Sequence, residues 1–164
     1  MELLEVYDFD GNKTGRIIVR GNKDLAEGEC IKLVTIWIKS KDKYLIQKGS
    51  KEKGGEYAVT GGHVTSGNTT VQQAVLECKE ELNLNLDKNK LKFLGNVFKE
   101  HAIFDVYIYE DENLLKYKFQ LQKEEVESVS WKTMDEIDEL CKDNVFRTSS
   151  KIQFAKFIKK QCSN

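Results

Sequence analysis

The chain contains no proline among its 164 residues. Beside abundant Lys, Asn and Ile, that absence carries no functional information. The other gaps exclude more. No apolar run approaches the ~18–20 residues that span a bilayer, so no helical membrane anchor is expected. The opening stretch from Met1 to Asp8 is acidic and too poor in apolar residues for a signal peptide, which makes the cytoplasm the expected compartment. Cysteine is sparse: Cys30, Cys78, Cys141 and Cys162 form no CxxC and no zinc-like pairing with the two histidines. Free thiols, buried or half-buried, are expected at all four. Neither sign of charge predominates, since the formal net charge is -1. There is no long-range attraction toward nucleic acid or anionic membrane, though a local charged pocket remains allowed. The lysines are spread out without interleaved aromatic platforms, which argues against a nucleic-acid module.

What is present suits one domain spanning residues 1–164, with no repeat, low-complexity tract or linker. The early part reads as strands: Leu3 to Tyr7, Arg16 to Arg20, Ile31 to Ile38, and Tyr44 to Gln47 after the turn Ser40-Lys41-Asp42-Lys43. A further extended piece, Glu56 to Thr60, ends at Gly61-Gly62, read here as a glycine loop. Helical spacing follows. Val71, Ala74, Val75, Cys78 and Leu82 form one apolar stripe, with Asn68, Thr69 and Thr70 as N-cap candidates and Asn83 or Asn85 at the end. Strands resume at Leu91 to Phe98 and Ala102 to Tyr109, joined as a hairpin through Lys99-Glu100-His101, and at Val126 to Trp131. Thr133-Met134-Asp135-Glu136 is a capping box opening a short helix, with Ile137, Leu140 and Cys141 inward. A last helix is expected over Ser149 to Lys160, with Ile152, Ala155, Phe157 and Ile158 among its apolar positions. This order implies an α/β (α+β) fold in which helices pack on the faces of a mixed sheet.

The first helix carries the chemistry. With Val71 set at zero, Glu77 projects at about 240°, Glu80 at about 180° and Glu81 at about 280°. Three carboxylates therefore share an arc beside the buried stripe. Like charges so close repel, and a divalent cation removes the conflict. Carboxylate oxygens suit Mg²⁺, which also accepts phosphate oxygens. The plain alternative is a solvated acidic face beside Lys79. The glycine pair upstream weighs against it, because glycine lets a ligand approach the backbone closely.

The segment resembles the Nudix box, the family pattern of Gly, five residues, Glu, seven residues, then Arg-Glu-aliphatic-any-Glu-Glu-any-Gly-aliphatic. Gly62 opens it, Glu77, Glu80 and Glu81 take the glutamate places, and Cys78 and Leu84 take the apolar ones. Ala58-Val59-Thr60-Gly61 is similar to the family's entry strand, and His63-Val64 with Gly67 to its loop. Glu5-Val6-Tyr7-Asp8 with Gly11 and Thr14-Gly15 resembles the opening of Nudix proteins related to isopentenyl-diphosphate isomerases. The resemblance implies a Nudix-like α/β/α sandwich with a mixed β-sheet. It implies a hydrolase that cleaves a nucleoside diphosphate linked to another moiety by water attack, using Mg²⁺ or Mn²⁺. Carried over, Glu77, Glu80 and Glu81 bind metal with the Gly61 carbonyl, and Glu80 also helps activate water. Glu125, before a late strand, is the further ligand or base, with Glu100 beside His101 a weaker candidate and His63 weaker still. Lys48 and Gly62 are the expected substrate contacts, and relatives are often homodimers.

Three box positions depart from the pattern. Asn68 stands in place of the loop Glu, Leu76 in place of the Arg, and Asn83 in place of the Gly. Asn83 can still terminate a helix. Leu76 cannot hold a neighbouring carboxylate as Arg can, and its projection off the apolar stripe leaves it exposed or against a loop. Gly49 follows Lys48 where relatives often carry a basic pair. A looser site follows, and with it two alternatives to the hydrolase: a ligand-binding module with reduced or lost catalysis, and an isopentenyl-diphosphate isomerase. The isomerase is disfavoured because Glu56 to Val64 contains no cysteine.

Overall fold

The central strand is long because both of its faces are buried. In the computed structural model, which describes the backbone of residues 1–162 and the side chains of residues 1–160, β3 (Glu29–Ser40) carries this role. A strand buried on both faces is rich in β-branched and aromatic residues throughout, as Val34, Thr35, Ile36, Trp37 and Ile38 are here. Before it, β1 (Leu3–Asp8) and β2 (Lys13–Val19) form an antiparallel pair, which joins β3 through Tyr7 opposite Cys30. After it, a tight turn with Lys41 at φ 56° leads into β4 (Lys43–Gly49). β5 (Tyr57–Ala58) pairs with β4, and β6 (Thr60–His63) with β3. The chain therefore changes partner strand at Val59.

Helix α1 (Thr70–Leu82) follows, then the antiparallel strands β7 (Leu91–Lys99) and β8 (Ala102–Glu110). Their turn passes through Glu100 at φ 54°. β8 lies parallel to β3, so the sheet is mixed. β9 (Val126–Lys132) pairs antiparallel with β4, and α2 (Met134–Lys142) and α3 (Thr148–Gln153) close the chain.

Strand alternation sorts the core into two layers. Val34, Ile36 and Ile38 of β3 pack with Ala74, Cys78 and Leu82 of α1. Trp37, between them in sequence, packs on the opposite face with Ile137 of α2 and with Phe154 and Ile158. Helices thus cover both faces, giving the expected α/β/α sandwich. Among the described residues no helix is long and apolar enough to cross a membrane.

Two expectations need correction. The glycine pair is not in a loop: Gly61 and Gly62 lie inside β6, opposite Thr35 and Val34 of β3. The last helix turns only Phe157 and Ile158 of its expected apolar positions toward the core. After α3 the backbone widens into a π-helical turn over Phe154–Ile158. The wider turn brings Gln153, Phe154 and Ile158 inward and leaves Ile152 and Ala155 exposed. Phe154 stacks on Trp37 with ring centroids 6.1 Å apart. Cys30, Cys78 and Cys141 are free thiols, the first two buried and the third half-buried. The expectation for the Cys162 thiol lies outside the described side chains.

Candidate active site

Helix α1 starts and stops where its local chemistry requires. Thr69 caps it, accepting from the Gln72 N–H at 3.1 Å while the Gln72 side chain accepts from the Thr69 N–H at 2.9 Å. It ends at Asn83 in the left-handed conformation, φ 54°. Between these ends the apolar stripe is buried and the acidic side faces β6 and β4.

Glu77 and Glu81, one turn apart, are both turned inward. Glu81 is 8% exposed and accepts from Gln47 Nε2 at 3.1 Å. Gln47 Nε2 also donates to Thr60 Oγ1 at 2.8 Å. Glu77 lies against Gly62 and accepts from Gln73 Nε2 at 2.9 Å. The two carboxyls lie close enough that each acts on the protonation of the other. Burial pushes both well above the ordinary carboxylate range, and neighbouring charges push in the same direction, Glu80 and Glu2 on Glu77 and Glu77 and Glu125 on Glu81.

The glycines make room for this pair. A side chain at Gly62 would overlap the Glu77 carboxylate, and one at Gly61 would overlap the Val34 carbonyl of β3. Beside the pair opens a cavity of about 190 Å³. Gln47, Gly61, Gly62, His63 and the carboxylates Glu56, Glu81 and Glu125 line it, while Leu33, Ala58, Val59 and Phe104 give it apolar walls. Arg20, Lys53 and Arg147 bring three positive charges to it. Lys53 Nζ meets Glu125 Oε1 at 3.2 Å. His63 is held neutral, its pKa lowered to about 4 by burial and then by the Arg20 charge.

The expected site residues are thus only partly gathered. Gly61, Gly62, Glu81 and Glu125 line one cavity, and Glu77 lies directly behind Gly62. Glu80 is exposed and does not line it. Lys48 falls on the other side of β4 from Gln47, where its ammonium meets Glu127 Oε2 at 3.0 Å. Glu100 sits in the β7–β8 turn, away from the cavity. Among the described residues no cysteine lines the cavity, and Cys78 is fully buried on the apolar stripe. Leu76 is 39% exposed.

Sequence reasoning missed Gln47, Gln73, Arg20, Lys53 and Arg147. A signal existed for the first two. Gln47 is the polar end of the apolar run Tyr44-Leu45-Ile46. Gln73 precedes Glu77 and Glu81 at i, i+4, i+8, a single row along one helix side. The three cations reach the cavity from separate parts of the chain, and no local pattern marks them.

Comparison with known proteins fits this geometry. The model of the NUDIX domain matches residues 32–151. The chain belongs to the Nudix family. An uncharacterised Nudix hydrolase of Listeria monocytogenes is 30% identical over 151 residues, covering 89% of this chain and 88% of that one. Nudix hydrolase 3 of Arabidopsis thaliana is 29% identical over 157 residues, which are 82% of this chain and 20% of that protein. Among solved structures, the Deinococcus radiodurans protein DR0079 superposes with a TM-score of 0.77 at 17% identity, covering 94% of this chain and 99% of that one. A bifunctional NMN adenylyltransferase/ADP ribose pyrophosphatase of Francisella tularensis, solved with AMP and a Mn ion, superposes with a TM-score of 0.65 at 17% identity. It aligns over 82% of this chain and 42% of its own. This Nudix chain is therefore a hydrolase with the family's mixed-sheet sandwich.

The family implies a divalent cation, and the residues present fit one. Two inward-turned carboxylates one helical turn apart, one buried and one half-buried, are a donor set that suits a divalent cation. Among the described residues no three His, Cys, Asp or Glu side chains converge as a ready cluster. A cation here would draw on Glu77 and Glu81 and leave its remaining positions to water and phosphate oxygens, as Mg²⁺ characteristically does.

Proposed function

We propose that this Nudix chain hydrolyses a nucleoside diphosphate linked to another moiety, with Mg²⁺ or Mn²⁺ held by Glu77 and Glu81. The observation that carries the reading is the inward-turned Glu77–Glu81 pair beside a cavity that three cations, Arg20, Lys53 and Arg147, also line. Gly61 contributes its carbonyl, and the exposed Glu80 adds negative potential beside Glu77. When bound, the cation neutralises the diphosphate and lowers the pKa of water. Arg20, Lys53 and Arg147 hold phosphate oxygens, a role first expected of Lys48. Gly62 lets the substrate approach the strand backbone. Glu125, on the cavity wall, accepts the proton of the attacking water, and Lys53 orients it. Such phosphoryl chemistry asks mainly for positioning and charge stabilisation, which this equipment supplies.

The cytoplasm is the proposed compartment and a homodimer the proposed assembly. The test is an assay of nucleoside diphosphate derivatives with Mg²⁺ or Mn²⁺, run beside Glu81→Gln. Metal-dependent turnover lost in the variant is expected. Wild type and variant equally active, or equally inert, would sink the reading.

A further inference from the structure

The Glu77 carboxylate receives its hydrogen bond from an amide, not from a cation. Asn68 and Leu76 occupy the two places where charged residues could have steadied it. What the fold offers instead is a chain of amides running from the loop to the carboxylate. Gln73 is 3% exposed and uses both ends of its side chain. Its Oε1 accepts from the Thr65 N–H at 3.2 Å, from Thr65 Oγ1 at 3.0 Å and from Asn68 Nδ2 at 2.9 Å. Its Nε2 donates to Glu77 Oε1 at 2.9 Å.

The direction of this chain is fixed by chemistry. A backbone N–H can only donate, so the group facing Thr65 must be the Gln73 oxygen. The Gln73 NH₂ is then committed to Glu77. Asn68 strengthens the same orientation, and its Nδ2 is itself held on Thr65 Oγ1 at 3.0 Å. On the far side, Glu77 is stopped by the Gly62 backbone. The carboxylate is therefore clamped between a strand and an amide whose own orientation is locked.

We propose that Gln73 is a positioning residue that holds the Glu77 carboxylate in place for a divalent cation, with Asn68 and Thr65 fixing the Gln73 amide. The inference rests on the cation reading above and adds to it how this chain orients one of its ligands. Partners of a ligand group typically change metal affinity 10- to 100-fold when removed. Gln73→Met keeps length and burial but deletes both ends of the relay. Gln73→Glu keeps the acceptor toward Thr65 and Asn68 and replaces the donor toward Glu77 with an oxygen.

The experiment is a titration of the full chain with Mn²⁺ alone, free ion read by electron paramagnetic resonance well below the unfolding temperature. Wild type is expected to bind, Gln73→Met and Gln73→Glu to bind at least about 10-fold more weakly. Asn68→Ala, on a half-buried loop residue that folding tolerates, is expected to lose about 2- to 5-fold. A purely structural role lowers thermal stability without changing Mn²⁺ affinity of the folded protein. Affinities for Asn68→Ala and whichever Gln73 variant folds equal to wild type would overturn this inference alone. No Mn²⁺ binding by wild type would overturn it together with the cation reading.

Discussion

Gly61 and Gly62 are adjacent and chemically identical, yet each is glycine for a different reason. Neither lies at positive φ, so turn geometry does not require them. At Gly61 a methyl group meets the β3 backbone, which cannot move without breaking the ladder. At Gly62 it meets the free end of the Glu77 side chain, which can move. Gly61→Ala is therefore expected to lower unfolding free energy by about 1–3 kcal/mol, measured by urea denaturation. Gly62→Ala should leave the urea midpoint nearly unchanged and weaken Mn²⁺ binding about tenfold or more by displacing Glu77. If Gly62→Ala instead unfolds the protein and binds metal normally once folded, the pairing of Gly62 with Glu77 has been misread. The glycines stood out in the sequence, but their strand setting did not. A Gly-Gly pair reads as a break, and only the pairing of β6 with β3 makes it a close approach between backbones.

Helix α1 was legible because its information is local. The apolar spacing set its buried face, and its ends fell at Thr69 and Asn83, both among the expected caps. The three glutamates looked equivalent because a projection shows angle but not which neighbour covers it. β4 and β6 cover the row of Gln73, Glu77 and Glu81, and Glu80 falls outside that row. The same limit hid Lys48, whose strand parity sets it opposite Gln47. It also hid the last helix's face, since a π-helical turn breaks the 3.6-residue period that such reading assumes. At the C-terminal end of α1, Asn83 holds φ 54°, Lys79 Nζ donates to its Oδ1 at 2.8 Å, and its Nδ2 reaches Gln120 at 3.1 Å. Asn83→Ala loses the residue type that tolerates this conformation and both side-chain bonds. A loss of about 1–2 kcal/mol is expected in chemical denaturation, with Asn83→Gly closer to wild type. Equal stability of all three proteins would show that the helix end contributes nothing.

Across the whole molecule, the inward-turned carboxyl pair ties stability to pH and, on the proposed reading, to the cation. Glu77 and Glu81 titrate above their ordinary value of 4.5 in the folded state, chiefly through burial. The folded protein thus binds more protons than the unfolded chain in the window above that value. Its stability is fully present below the unfolded pKa and is lost as pH rises through the folded values. His63 acts in the opposite sense: its pKa is lowered to about 4, so its contribution is present above its ordinary value of 6.5 and is lost as pH falls through the folded value. The two effects separate above about pH 7.5, where His63 is neutral in both states. Between about pH 7.5 and 8.5 the metal-free protein should lose stability, at most about 1.4 kcal/mol per pH unit for each proton released. Glu81→Gln keeps an acceptor for Gln47 and removes one of the two raised carboxyls, so its slope should be shallower and its stability at pH 8.5 higher than wild type. Saturating Mn²⁺ should reverse the wild-type trend, because a cation that binds only the folded state competes with the proton and gains as the proton leaves. Thermal melts of both proteins across this range, with and without Mn²⁺, read all three effects. A metal-free wild type as stable at pH 8.5 as at pH 7.5 would show that the pair is not strained by its burial.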